Sequence, residues 1–133
     1  MKLKIHHWAA ALVVIASSMM SVPASAAAPV CNAYNGSGYC QYTGRAYQVY
    51  VNSNGEIILY FDTAMPASAP SSVGIAGVSV YGATLYRTSA NPDYAKMLYA
   101  SLLSAQARGA TITVQMWGVD NGYMKLDRVW VNE

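Results

Sequence analysis

Two hydrophobic periods divide the chain. Residues 44–51 alternate in steps of two, with Tyr47, Val49 and Val51 on one side and Ala46, Gln48 and Tyr50 on the other, which predicts a strand. Asn52-Ser53-Asn54-Gly55 comes next, and its Asn-Gly pair supplies the positive φ that a tight hairpin turn needs. Residues 56–62 predict a second strand. Its run Ile57-Ile58-Leu59-Tyr60-Phe61 is almost wholly apolar, a pattern that implies burial on both faces or a subunit contact. Residues 63–72, with Pro66, Pro70 and small polar side chains, read as a loop. Residues 75–88 predict a long third strand through Val78, Val80, Ala83, Leu85 and Arg87, bent or bulged near Gly82.

The period then changes to that of a helix. Asn91 is a good N-cap, Pro92 suits the first helical position, and Asp93 complements the positive helix end. Tyr94, Met97, Leu98, Leu102 and Ala105 make one apolar face, Arg108 suits the negative end, and Gly109 is the expected stop. Residues 111–117 alternate again, Thr111, Thr113, Gln115 and Trp117 against Ile112, Val114 and Met116; residues 118–122 turn the chain, and residues 124–131 form the last strand. The class is therefore mostly β with one helix, in the order β-β-β-α-β-β. That is the order of an OB-fold-like five-stranded barrel, with the Met97, Leu98 and Leu102 face plugging one end. A generic α+β roll is the competing architecture.

The N-terminus changes the domain count. Lys2 and Lys4, a short apolar run from Trp8 to Ala16, and Pro23-Ala24-Ser25-Ala26 have the pattern of a secretory signal peptide over residues 1–26. The apolar run is shorter than the roughly 20 residues a bilayer requires, so no membrane span is expected. Residues 27–133 then amount to one domain's worth of chain, expected to be exported and either secreted or periplasmic. Both histidines, His6 and His7, lie in the leader, and so does the formal excess of +2. Six basic and six acidic residues remain, a neutral balance that gives no electrostatic reason to expect nucleic acid. Cys31 and Cys40 are the only cysteines, which in an exported chain reads as one disulfide closing a small Gly- and Asn-rich loop.

Chemistry is sparse. Without histidine beyond the leader there is no Ser-His or Cys-His dyad, and paired cysteines offer no thiolate. Asp62, Asp120 and Asp127 are read as turn and strand-end residues rather than a glycosidase pair. Two thiols alone do not complete a metal shell, and no phosphate-binding glycine loop is present, so no metal, cofactor or enzyme activity is expected. Eleven tyrosines instead suit a recognition surface that is part apolar and part polar, although strand propensity alone also favours them.

The stretch from Tyr94-Ala95-Lys96-Met97-Leu98-Tyr99 to Gly109-Ala110-Thr111-Ile112-Thr113-Val114, together with Tyr42-Thr43-Gly44 at the entry to the first strand, resembles the B subunits of AB5 bacterial toxins, in the subtilase-cytotoxin and typhoid/pertussis-like group. The resemblance implies a homopentameric ring with glycan sites at its rim, a pore lined by the helices, and a toxin A subunit as partner. Thr43 would stand where that group has a serine whose hydroxyl helps bind sialic acid, with Tyr42 beside it as a stacking or packing group. Arg45 is placed by charge and position to meet an acidic sugar. Thr43 departs from the family serine by a methyl group, and the Cys31–Cys40 bridge lies ahead of the barrel, where the family often has bridges within or after it. The expectation is a secreted, non-enzymatic module that recognises host or surface glycans, with ligand-binding residues Tyr42, Thr43 and Arg45. The alternative is a periplasmic or secreted protein-interaction or inhibitor module.

Overall fold

Seven strands and two helices fold from residues 27–132, which the computed structural model describes; the expected leader lies outside these residues. The strands are β1 (Val30–Tyr34), β2 (Ser37–Arg45), β3 (Gln48–Val51), β4 (Glu56–Tyr60), β5 (Val80–Arg87), β6 (Thr111–Asp120) and β7 (Tyr123–Val131); the helices are α1 (Ser68–Ser72) and α2 (Pro92–Arg108). They form a single sheet in the order β1-β2-β6-β7-β5-β4-β3. All neighbours are antiparallel except β5 and β7. Among the described residues no helix is long and apolar enough to cross a membrane.

The five strands expected are corrected to seven, for two reasons. The loop between the cysteines is itself a hairpin. Asn35 (φ 49°) and Gly36 (φ 78°) both adopt left-handed backbone, which is the two-residue turn that matches strand twist. Cys31 and Cys40 are directly opposed in that ladder and disulfide-bonded. The second reason is that residues 44–51 do not form one strand. Gly44 and Arg45 end β2, and β3 begins only after Ala46 and Tyr47. The last hairpin also turns later than expected, at Asn121-Gly122, again with both residues left-handed. A short helix, α1, interrupts the stretch read as a loop. The bend expected near Gly82 is present as a register shift between Val80 and Thr84.

The expected barrel, closed or nearly closed, is corrected to a curled sheet whose edges are β1 and β3, with no ladder joining them among the described residues. The curl follows from the link at Ala46-Tyr47. It carries the chain from β2, second in the sheet, to β3, last in the sheet. In a flat sheet those positions would be about 24 Å apart, whereas the three steps from Arg45 to Gln48 reach at most about 11 Å. The main core fills the inside of this curl, with Tyr42, Leu59, Ile112, Val114, Met116 and Met124 all buried. A smaller cluster of Ile58, Ala83 and Leu85 lies apart from it. The apolar run 57–61 is thus divided between two clusters, as its lack of alternation suggested.

Helix α2 forms as its sequence dictates. The Asn91 side chain accepts from the Tyr94 N–H, and Gly109 ends the helix in left-handed conformation. Its buried face is Ala95, Leu98, Leu102 and Ala105. Met97, expected on that face, is 62% exposed. The cause is angular: Ala95, Leu98, Leu102 and Ala105 follow a 3-4-3 spacing, and Met97 lies to the solvent side of that stripe. We therefore expect Leu102→Ala to lower unfolding stability by about 2–5 kcal/mol in urea titrations. Met97→Ala should change it by no more than about 0.5 kcal/mol.

Candidate functional site

Alternation along β2 separates the three residues singled out in the sequence. Thr43 and Arg45 point to the exposed face of the sheet, and Tyr42 points into the core with 0% exposure. Tyr42 is thus a packing group, with no ring surface left for a sugar. Its ring lies against Phe61 at 4.7 Å between centroids. Its hydroxyl shares one proton between the Arg45 carbonyl and the Asp62 carboxylate, at 3.0 Å each, while the Asp62 N–H donates back at 3.4 Å. Burial is the main cause that pushes the phenol up to about 12, and the Asp62 carboxylate adds to it.

The exposed face is built by the β2–β6–β7 ladders. Thr43 opposes Thr113, and Thr113 opposes Trp130 on its other side. Gln41, Gln115 and Arg128 form the next row in the same way. Arg45 opposes Thr111 at the far end, and Tyr39 opposes Trp117 at the near end. The Thr43 and Thr113 hydroxyls are 3.1 Å apart, and the Asn132 amide donates to the Thr113 hydroxyl at 3.0 Å. Either hydroxyl can be the donor of the pair, since the Thr113 oxygen has two lone pairs and can accept from Asn132 and Thr43 together. Trp130 is 45% exposed beside this chain of hydrogen bonds. Tyr39 stacks on Trp117 at 4.9 Å, and the indole N–H is held by the Gln115 side chain at 3.2 Å.

The sheet thus brings Thr43 and Arg45 together with Thr113, Gln115, Arg128 and Trp130, which sequence reasoning had not placed in the site. The alternation of Thr111, Thr113, Gln115 and Trp117 was visible. Their partnership with β2 was not, since Thr43 and Thr113 meet across seventy residues of chain. The surface is an array of neutral donors and acceptors between two guanidinium groups, one of which, Arg128, is paired with Asp127 at 2.9 Å. Among the described residues no group of three or more His, Cys, Asp or Glu side chains is placed to hold a metal ion.

Compared with models of known protein families, with curated proteins and with solved structures, the chain matches none.

The Tyr42 geometry has a pH consequence. A phenol whose folded-state pKa lies above its ordinary value of 10 favours the neutral form in the fold. Its stabilisation is complete below pH 10 and is lost as pH rises through about 12. Tyr86 and Tyr94, raised chiefly by burial, act in the same direction. Denaturant midpoints measured from pH 8 to 12 should fall over this window. Tyr42→Phe should be less stable at neutral pH by about 1–3 kcal/mol, because it strips partners from buried groups, and should fall less steeply at high pH.

Proposed function

We propose that this protein is a non-enzymatic glycan-binding module of the exported, toxin-B-subunit-like kind, and that it reads sugars with the outer face of β2, β6 and β7. The observation that carries this reading is the row Thr43–Thr113–Trp130, a hydrogen-bonded pair of hydroxyls next to an exposed indole. Sugars present both hydroxyls and an apolar face, and this row offers a partner for each. Arg45, exposed in the neighbouring row opposite Thr111, suits the carboxylate of a sialylated glycan.

Two further features support the toxin-B-like architecture. Taking β2 and β3 as one interrupted strand, the succession β2/β3, β4, β5, α2, β6, β7 with β5 parallel to β7 has the order of an OB barrel. The open edges β1 and β3 also carry exposed Val30 and Tyr34, and Tyr50 and Val51, with no charged residue or proline to block pairing. Joining one edge to the other edge of the next copy is a head-to-tail contact, which gives a ring such as a homopentamer where the rotation between copies closes and an open filament where it does not. In such a ring the exposed side of α2, with Lys96, Met97 and Ser104, is the surface offered to an A subunit.

A second reading, a protein-interaction or inhibitor module acting as a monomer, is favoured by one feature. A largely apolar groove of about 380 Å³ lies between Val51 and Ile57 of the β3–β4 hairpin and Pro92, Ala95 and Tyr99 of α2.

A glycan array with the purified protein tests the leading reading. Binding should be lost or reduced about tenfold or more by Thr43→Val, which keeps shape and removes the hydroxyl, and should weaken toward sialylated glycans in Arg45→Gln. No glycan binding, or binding indifferent to Thr43→Val and to Trp130→Ala, would sink it. Light scattering should give a ring-sized assembly that Val51→Lys reduces to single chains; a monomeric wild-type protein favours the second reading.

A further inference from the structure

A second polar site lies beyond the sheet face, where β5 and β7 separate. Their ladder ends at Leu85 opposite Lys125. Beyond it is a cleft of about 360 Å³ whose polar walls are Arg87, Ser89, Asp120, Lys125 and Asp127, with Trp117 as its aromatic wall. A shallower lobe of about 510 Å³ is lined by Gly36, Ser37, Gly74, Ala76 and Gly118, and again by Trp117. Trp117 is therefore the residue common to both lobes.

The cleft is built rather than incidental. Two irregularities of the β6–β7 ladder shape it. Asp127 is an extra residue between the pairs Gln115–Arg128 and Met116–Leu126, and its carbonyl accepts from the Tyr94 hydroxyl of α2 at 2.9 Å. Bulges of this kind re-aim side chains beside sites. The second irregularity sets Trp117 and Gly118 against Lys125 alone, and the left-handed Gly118 leaves room for the Lys125 stem, whose Cε would lie 3.3 Å from a Cβ there. Trp117 is itself fixed by the Tyr39 stack and the Gln115 hydrogen bond.

Its polar groups are set for a ligand that both donates and accepts. Arg87 donates to both oxygens of Asp120, its Nη2 at 3.1 Å from Oδ1, and also pairs with Glu56 at 3.1 Å. The Asp120 carboxylate is thereby held rigid, yet each oxygen keeps a lone pair. Lys125 makes no ion pair among the described residues, so its ammonium is available as a donor. The positive charge of Arg87 is spent on two carboxylates and Asp127 is paired with Arg128, so the cleft has no net pull for phosphate. Hydroxyl groups next to an indole match this balance.

We propose that the groove divided by Trp117 binds an uncharged oligosaccharide of two or three residues. One sugar sits against Asp120 and Lys125, and the next passes over the indole into the glycine-lined lobe. The proposal rests on the glycan-binding reading above, and it adds a second site of a different specificity, for neutral rather than acidic sugars.

Titration of the ¹⁵N-labelled protein with cellotriose, maltotriose, triacetylchitotriose and galactotriose, each beside its monosaccharide, tests it. At least one trisaccharide should shift amides in both lobes, Asp120 and Lys125 on one side and Ser37 and Gly74 on the other, together with the Trp117 indole N–H. It should bind about tenfold or more tighter than its monosaccharide, because two subsites are filled. Lys125→Gln should weaken it about fivefold or more, and Thr43→Val should leave it unchanged. Shifts confined to one lobe, equal affinity for mono- and trisaccharide, or no shift in the groove with any sugar would overturn the proposal. Shifts only at Thr43, Thr113 and the Trp130 indole would overturn it while leaving the sheet-face reading intact. Shifts in the groove alone would support it and remove the sheet face as the site for these sugars.

Discussion

The hydroxyl of Tyr42 holds the point at which the sheet changes partners. At Arg45 the chain leaves the β2–β6 ladder, and at Gln48 it joins the β3–β4 ladder. Of the two residues that make this crossing, Ala46 is buried at 3% exposure and Tyr47 points to solvent at 66%. The Arg45 carbonyl, at the end of β2 where the ladder stops, takes a side-chain partner. Tyr42 supplies one, and through Asp62 the same hydroxyl reaches the segment immediately after β4. A phenylalanine would keep the contact with Phe61 but leave these polar groups without the bond. The curl, the enclosed core and the outward face of β2 all depend on this short crossing.

Once the sheet curls, each strand has an inner and an outer face with different duties. On β2 the inner face is Cys40, Tyr42 and Gly44, and the outer face is Gln41, Thr43 and Arg45. A slip of one residue would put Thr43 inside and Tyr42 outside, which the core cannot accommodate. The disulfide pins the neighbouring register, since Cys31 and Cys40 face each other directly. On the open flank the Arg87 guanidinium serves a related purpose. It ties Glu56 of β4 and Asp120 of β6 to β5. Glu56 is 9% exposed, and its side chain is met by Arg87 at 3.1 Å and the Asn52 amide at 2.7 Å. The groups that fix the strands are thus the groups that leave oriented oxygens beside Trp117.

The parts of this fold legible in the sequence are those specified within a few residues. Helix α2 is bounded by Asn91 and Gly109, both acting locally, and its limits are as expected. The turn over residues 52–55 is likewise local, although only Gly55 of its Asn-Gly pair is left-handed. Asn35-Gly36 carried the same signal, but the glycine-rich spacing between the cysteines suggested an irregular loop and hid the strand on either side. The break at Ala46-Tyr47 has no signature of its own, since alternation continues through it; only the long-range choice of partners splits β2 from β3. For the site the same limit applied. Thr43 and Arg45 could be picked out one at a time, whereas Thr113, Trp130 and Asn132 join them only through ladders between distant strands. The inward orientation of Tyr42 could have been inferred from its alternation with Gln41 and Thr43 once β2 was known to begin at Ser37.

The shallow outer face sets how strongly one copy can bind. Thr43, Arg45 and Trp130 are exposed, so any hydrogen bond made there replaces one to water and adds little net affinity. An open sheet face also encloses only part of a ligand, unlike a deep pocket. On the proposed reading, useful affinity then has to come from number rather than depth. The two unblocked sheet edges lie on β1 and β3, whereas the hydroxyl row lies on the outward face of β2, β6 and β7, so assembly by edge pairing does not compete with sugar for the same groups. Repeating a weak site around a ring raises avidity by about 10²–10⁴ without any new contact, provided the glycans on the target surface can be reached together. A neutral surface suits this arrangement: with six basic and six acidic side chains in residues 27–133, specificity on this reading rests on the placement of hydroxyls and amides and not on general attraction to charged surfaces.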